Sequence, residues 1–261
     1  MRQLAARLHQ PVFLGYADRV LDLCLIVAHP DDECYGTGGT LAEYAANGLK
    51  TGLITLTKGS SGRSLGLCSQ AELPEFRAAE LQKSVEALSV SHFAHLNYPD
   101  AAPAVRQVNH NDGAPATFLG GLQDFIPEAT LEVLALLETW QPKIVITFPP
   151  DGGNRHPDHV ASHTIAVSAL EQGGHLARGT KVYGFANPVL LNPDWADTWL
   201  PPTHFRDVTA HLVPKFRAIA AHRTQALSTI GFLEKLPERI VTETFRRLIP
   251  VWTTNQTSSE L

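Results

Sequence analysis

The apolar run Leu23-Cys24-Leu25-Ile26-Val27 ends abruptly in Ala28-His29-Pro30-Asp31-Asp32-Glu33. A run of that length, rich in β-branched and aliphatic residues, reads as a buried central strand, over about 21–28. Charged groups at the end of such a strand need partners, because burying them unpaired costs several kcal/mol or forces a pKa shift. A divalent cation is the natural partner. His29 offers a neutral imidazole, Asp31 and Asp32 offer carboxylates, and the metal neutralises the cluster.

The same grammar recurs downstream. Ile144-Val145-Ile146-Thr147-Phe148 is a second apolar run, followed by the Gly-rich loop Asp151-Gly152-Gly153-Asn154-Arg155 and then His156-Pro157-Asp158-His159. In open α/β sheets, sites form where loops leave the carboxyl ends of strands, so the two clusters are expected to meet in one crevice. Together they predict a mononuclear site of His, Asp and His. Spacing alone leaves the histidines open, since His156 and His159, or His159 and His163, also share a helix face.

Between and beyond these clusters, strand and helix signals alternate. Strands are expected at 53–57, 93–98, 143–148 and 182–185. Helices are expected at 38–46, 74–88, 128–140, 158–170 and 212–227, with a possible strand pair near 240–245. Long loops are expected at 58–70, 99–121 and 187–203. The alternation predicts one α/β domain over 1–261: a Rossmann-like, mostly parallel sheet covered by helices on both faces. Its core spans about 20–230, with 231–261 as a C-terminal extension.

Composition narrows the function. The chain has 261 residues, 44% of them hydrophobic, and no run near the ~20 apolar residues of a membrane span. Polar residues interrupt the N-terminal stretch, so no secretion signal is read there. Three cysteines provide no disulfide framework and fit a reducing, cytoplasmic setting. A net charge of −5 argues against nucleic acid as a partner.

The two motifs carry a resemblance. Ala28 to Glu33 matches the A-H-P-D-D-E pattern, and His156 to His159 the H-P-D-H pattern, of the PIG-L/LmbE family of zinc-dependent N-acetylglucosaminyl deacetylases. Gly38-Gly39-Thr40, the Arg77–Glu80 R-x-x-E, the segment from Leu96 to Asp100, and Lys215, Ala218, His222 and Gln225 agree more loosely, in family order. The resemblance implies a hydrolase that removes acetyl from an N-acetylglucosamine-type sugar or glycoside. It assigns His29, Asp32 and His159 to Zn2+, although other divalent transition metals suit the same ligands. Asp31 is then the general base. A protonated His156 stabilises the developing oxyanion, with Asp158 holding that imidazole charged and oriented. Arg77 and Asp100 are the candidate sugar-binding residues, and Glu33 supports the first loop. Where many relatives carry Gly-Glu after the second strand, this chain has Lys58-Gly59. A homo-oligomer is also expected by resemblance. The alternatives are an amidase acting on low-molecular-weight thiol conjugates and a non-catalytic metal-binding homologue.

Overall fold

The computed structural model describes residues 20–104, 117–254 and 256–261. The N-terminal stretch and the middle of the 99–121 loop, both interpreted above, lie outside the described residues. The elements run β1 (Leu23–Val27), α1 (Asp32–Tyr35), α2 (Gly38–Ala46), β2 (Thr51–Thr57), α3 (Leu73–Ala87) and β3 (His92–Tyr98). A small pair, β4 (Ala102–Pro103) and β5 (Phe118–Leu119), precedes α4 (Ile126–Trp140), β6 (Ile144–Thr147), α5 (Pro157–Gln172) and β7 (Lys181–Phe185). The chain ends with β8 (His204–Asp207), α6 (Leu212–Ala221), α7 (Ala226–Lys235) and β9 (Thr242–Ile249).

Seven strands form one sheet in the order β3-β2-β1-β6-β7-β9-β8. The first five are mutually parallel, whereas β9 runs antiparallel to both β7 and β8. Every residue of β1 and β2 is buried, as expected for central strands covered on both faces. Successive side chains alternate between two cores. Leu23, Leu25 and Val27 pack with Leu41 of α2, Leu81 and Val85 of α3, and Ala218 of α6. Cys24 and Ile26 pack with Val133 and Leu137 of α4 and Ile165 of α5. Cys24 is thus core packing.

From β1 the chain proceeds to β2 and β3 on one side, then returns to lay β6 against the other edge of β1. The β1–β6 junction is the topological switch point, where splayed loops leave a crevice at the carboxyl ends of the strands. Both ionisable motifs follow these two strands.

One expectation is corrected. The last helix does not run over 212–227. It stops at Ala221, His222 leaves helical geometry (φ −82°, ψ 62°), and α7 restarts at Ala226. The strand expected near 240–245 falls on β9, which lies inside the sheet, and β8, not foreseen, completes its edge. Among the described residues no helix is long and apolar enough to cross a membrane.

Candidate metal centre

Three side chains converge at the switch point. His29 Nδ1 lies 3.4 Å from Asp32 Oδ2, and His159 Nε2 lies 3.7 Å from Asp32 Oδ1. The ligand-type atoms of His29, Asp32 and His159 all fall within 4.8 Å of one another. The opposite ring nitrogens are engaged. His29 Nε2 meets Asp158 Oδ2 at 3.0 Å, and His159 Nδ1 meets the Gly152 carbonyl at 3.2 Å. Each partner is an acceptor, so the neutral form of each ring keeps its proton there and leaves the nitrogen facing Asp32 free to bind a metal. That donor set, two pre-oriented imidazoles and a carboxylate, fits a divalent transition metal with a coordination position left open.

Local sequence explains the placement. Phe148, just past β6, stacks on the His159 ring at 3.9 Å between centroids and 14° between planes. Gly152 has φ +73°, and a Cβ there would come within 2.9 Å of His159 Cβ, so the turn that offers its carbonyl to Nδ1 needs glycine. Among the described residues, two other clusters have ligand-type composition. His29, His156 and Asp158 form one, but the Asp158 carboxylate already accepts from Ala101 N (2.7 Å) and Leu122 N (2.8 Å). Glu33, Cys34 and His222 form the other, but Glu33 and His222 are in direct contact at 2.6 Å.

Asp31 occupies unusual backbone, with φ 130° and ψ −23°. A non-glycine residue held there stores about 1–3 kcal/mol, and such strain gathers at functional sites. Its Oδ1 faces Arg77 Nη2 at 3.3 Å. Burial pushes the Asp31 carboxyl up to about 7; Arg77 opposes the shift and neighbouring Asp32 adds to it. Asp32 moves the other way. Burial would raise it, but the adjoining His159 and His29 hold it well below the usual carboxylate range. The two neighbouring carboxyls are therefore separated into a permanent anion and a group able to take a proton near neutrality.

Asp158 and His156, expected to act together, each have a nearer partner. The Asp158 carboxylate faces His29, and His156 Nδ1 stands 4.0 Å from it. That nitrogen instead accepts from the Asp158 backbone N–H at 3.2 Å as the cap of α5. His156 is thus no standing imidazolium. Burial and the adjacent His29 and His159 rings push it down to about 3. The neutral ring carries its proton on Nε2, and Phe118 packs against it at 4.5 Å.

Arg77 is buried, not on a solvated face. It donates to the Gly59 carbonyl at 2.9 Å and to the Pro30 carbonyl, and it pairs with Asp31 rather than Glu80. Glu80 accepts from Thr224 N and Oγ1 at 3.0 and 2.6 Å. The Asp100 carboxylate accepts from Ser60 N, Ser60 Oγ and Ser61 N at 2.6–2.8 Å, so it anchors the loop after β2. Both residues expected to hold sugar therefore spend their visible hydrogen bonds on the protein. His163 Nδ1 bonds the Phe148 carbonyl at 2.8 Å, outside the triad. Trp199 donates to the Asn187 carbonyl at 3.1 Å, pinning the 187–203 loop. Sequence reasoning did not find Ser84, Phe118 or the Gly152 carbonyl. Only Ser84 left a signal, as a polar residue on the inward stripe of α3.

The fold and cluster define an α/β protein with a candidate His-Asp-His metal centre and a carboxyl poised beside it. Comparison with known proteins specifies the family. The sequence model described as PIG-L, GlcNAc-PI de-N-acetylase, matches residues 24–170. A 1D-myo-inositol 2-acetamido-2-deoxy-alpha-D-glucopyranoside deacetylase from Saccharomonospora viridis is 31% identical over 238 residues, covering 80% of this chain and 86% of that protein. The solved N,N'-diacetylchitobiose deacetylase from Pyrococcus horikoshii superposes with a TM-score of 0.62 at 20% identity, covering 88% of this chain and 84% of that one. A 4-carboxy-2-hydroxymuconate hydratase from Pseudomonas putida superposes at 0.65 and 18% identity, over 92% of this chain and 100% of that one. At such identities the superpositions speak for the fold alone, and the fold carries more than one chemistry. The chain belongs to the PIG-L family of de-N-acetylases, hydrolases acting on an amide C–N bond.

Proposed function

We propose that the protein is a zinc-dependent deacetylase that releases acetate from an N-acetylglucosamine-type sugar or glycoside. The observation that carries this reading is a buried, strained Asp31 carboxyl set beside the His29, Asp32 and His159 triad. Those three residues would hold the metal, which when bound supplies Lewis acidity toward the acetyl carbonyl and the attacking water.

The remaining work falls to the chain. Asp31, pushed up to about 7 mainly by burial, takes the proton of the attacking water as general base. His156 donates its Nε2–H to the carbonyl oxygen as negative charge grows there. A neutral imidazole can serve as such a donor. Asp158 holds His29 in its ligand tautomer. Arg77 holds the backbone carbonyl before Asp31 as well as the Asp31 carboxylate. When the C–N bond breaks, the proton kept by Asp31 passes to the leaving amine. Acetate and a free amino sugar are the products. Relatives named for a glucosaminyl-inositol substrate favour a glycoside with a polyol aglycone. The three cysteines and the chemistry of such relatives suit a cytoplasmic enzyme.

Amine release from a panel of N-acetylglucosamine glycosides, with metal content measured on the same sample, tests the proposal. Asp31→Asn is expected to keep its metal and lose turnover, and His159→Ala to lose its metal. Stoichiometric zinc without turnover on any panel member overturns the sugar assignment and redirects the search to amides of thiol conjugates.

A further inference from the structure

The Asp31 backbone conformation is held from several sides. Its N–H donates to Glu33 Oε2 at 3.0 Å. Its carbonyl accepts from Cys34 N at 3.2 Å and Cys34 Sγ at 3.0 Å, and the preceding Pro30 carbonyl takes Arg77. The Glu33 carboxylate is the hub of this arrangement. Its other oxygen, Oε1, accepts from Ser84 Oγ of α3 at 2.5 Å and from His222 Nε2 at 2.6 Å. Glu33, Ser84 and His222 are at most 1% exposed. The break between α6 and α7 falls at His222, the residue that reaches back to Glu33.

None of these three side chains belongs to the metal triad. What they share is one hydrogen-bonded chain that ends, through Glu33, on the backbone of the strained Asp31. A carboxylate whose Oε1 is held by two buried donors from different parts of the fold cannot rotate without breaking those hydrogen bonds, so its Oε2 presents a fixed acceptor to the Asp31 N–H. We infer that Glu33, oriented by Ser84 and His222, is a positioning group that locks Asp31 in its positive-φ conformation and so aims the Asp31 carboxylate. The inference deepens the reading of Asp31 as the base and rests on it.

An alternative role for the Glu33–His222 pair is stability alone, and the test separates the two. His222→Leu, His222→Gln and Ser84→Ala are prepared with zinc bound, beside wild type and Asp31→Asn. Each is read by the Asp31 backbone in a crystal structure, by zinc content, and by kcat and KM for amine release from the fastest panel glycoside. His222→Leu is expected to let Asp31 leave φ near +130°. Its kcat should fall at least about tenfold, with KM within about twofold, as displacement of a reacting group costs rate rather than binding. His222→Gln, whose amide N–H can donate to Oε1, is expected to restore both backbone and kcat to within about threefold of wild type. An Asp31 backbone unchanged in His222→Leu overturns the inference, as does a kcat per zinc-loaded molecule equal to wild type. Should His222→Leu fail to fold, Ser84→Ala decides. A kcat loss of about threefold at constant KM supports the role, and no loss refutes it. Turnover retained by Asp31→Asn would sink the base assignment instead, while the Asp31 backbone in His222→Leu would still judge the positioning.

Discussion

Replacing Asp158 by asparagine should weaken metal binding, although Asp158 is not one of the three ligands. Three N–H groups point at its carboxylate. His29 Nε2 and Ala101 N share Oδ2 at 3.0 and 2.7 Å, and Leu122 N takes Oδ1 at 2.8 Å. Asparagine has nearly the same shape but only one acceptor oxygen. If that oxygen faces His29 and Ala101, the new NH2 group confronts the Leu122 N–H, and a buried donor goes unmatched at a cost of about 1–3 kcal/mol. If the amide flips, NH2 faces His29 Nε2. The ring must then accept there and move its proton to Nδ1, the nitrogen turned toward Asp32. Either state is penalised, and the second removes a ligand lone pair. Loss of such a supporting carboxylate typically costs about 10–100-fold in metal affinity, or about 1.4–2.8 kcal/mol at 1.4 kcal/mol per tenfold. Zinc competition against a chromophoric chelator at fixed pH reads this directly. An unchanged dissociation constant in Asp158→Asn would refute the tautomer argument. If the mutant instead lost only turnover, Asp158 would be serving His156 after all.

Metal binding should also depend steeply on pH. In the metal-free protein burial would lower the His29 pKa, but its hydrogen bonds to Asp158 and Asp32 outweigh that and raise it to about 10. A metal must therefore displace a proton, and affinity should rise about tenfold per pH unit between 7 and 9, with proton release visible by calorimetry in buffers of different ionisation enthalpy. The same raised pKa gives the metal-free protein stability that is complete below the unfolded value near 6.5 and is lost as pH rises through about 10. A pH-independent affinity across that window would contradict both statements. Separately, Gly59 has φ +67° and a Cβ there would run into the Arg77 guanidinium. Gly59→Ala is expected to push Arg77 off Asp31 and Pro30 and lower kcat about tenfold at unchanged metal content, whereas wild-type kcat would mean that Arg77 does not position Asp31.

The parts of this molecule that could be read from sequence are those whose determinants are local. The β1 and β6 runs are almost wholly apolar because both faces of a central parallel strand are buried, and that pattern needs no knowledge of the fold. The motifs beyond them could be paired because the doubly wound topology sends loops after neighbouring strands into one crevice. β8 escaped because His204-Phe205-Arg206-Asp207 is short, partly exposed and lacks apolar alternation, as suits an edge strand. The helix break escaped because helical periodicity continues through 212–227. What interrupts it is His222, drawn out of the helical path toward a buried carboxylate 189 residues earlier in the chain.

The Asp158 carboxylate shows why nearness in sequence does not reveal a side chain's partner. Proximity in sequence favoured His156, two positions away, as the partner of Asp158. Yet a side chain at the first turn of a helix points back over that helix's N-terminal end. Since α5 begins directly under the crevice, the Asp158 carboxylate meets whatever stands at the end of the neighbouring strand, and that is His29, 129 residues away. The neighbour in sequence is left with the backbone N–H of Asp158 as its partner, and that bond in turn leaves the proton on His156 Nε2. One helix start thus settles two tautomers. His29 is held as a metal ligand and His156 as a neutral donor, and replacing Asp158 should disturb the first while leaving the backbone bond of the second intact.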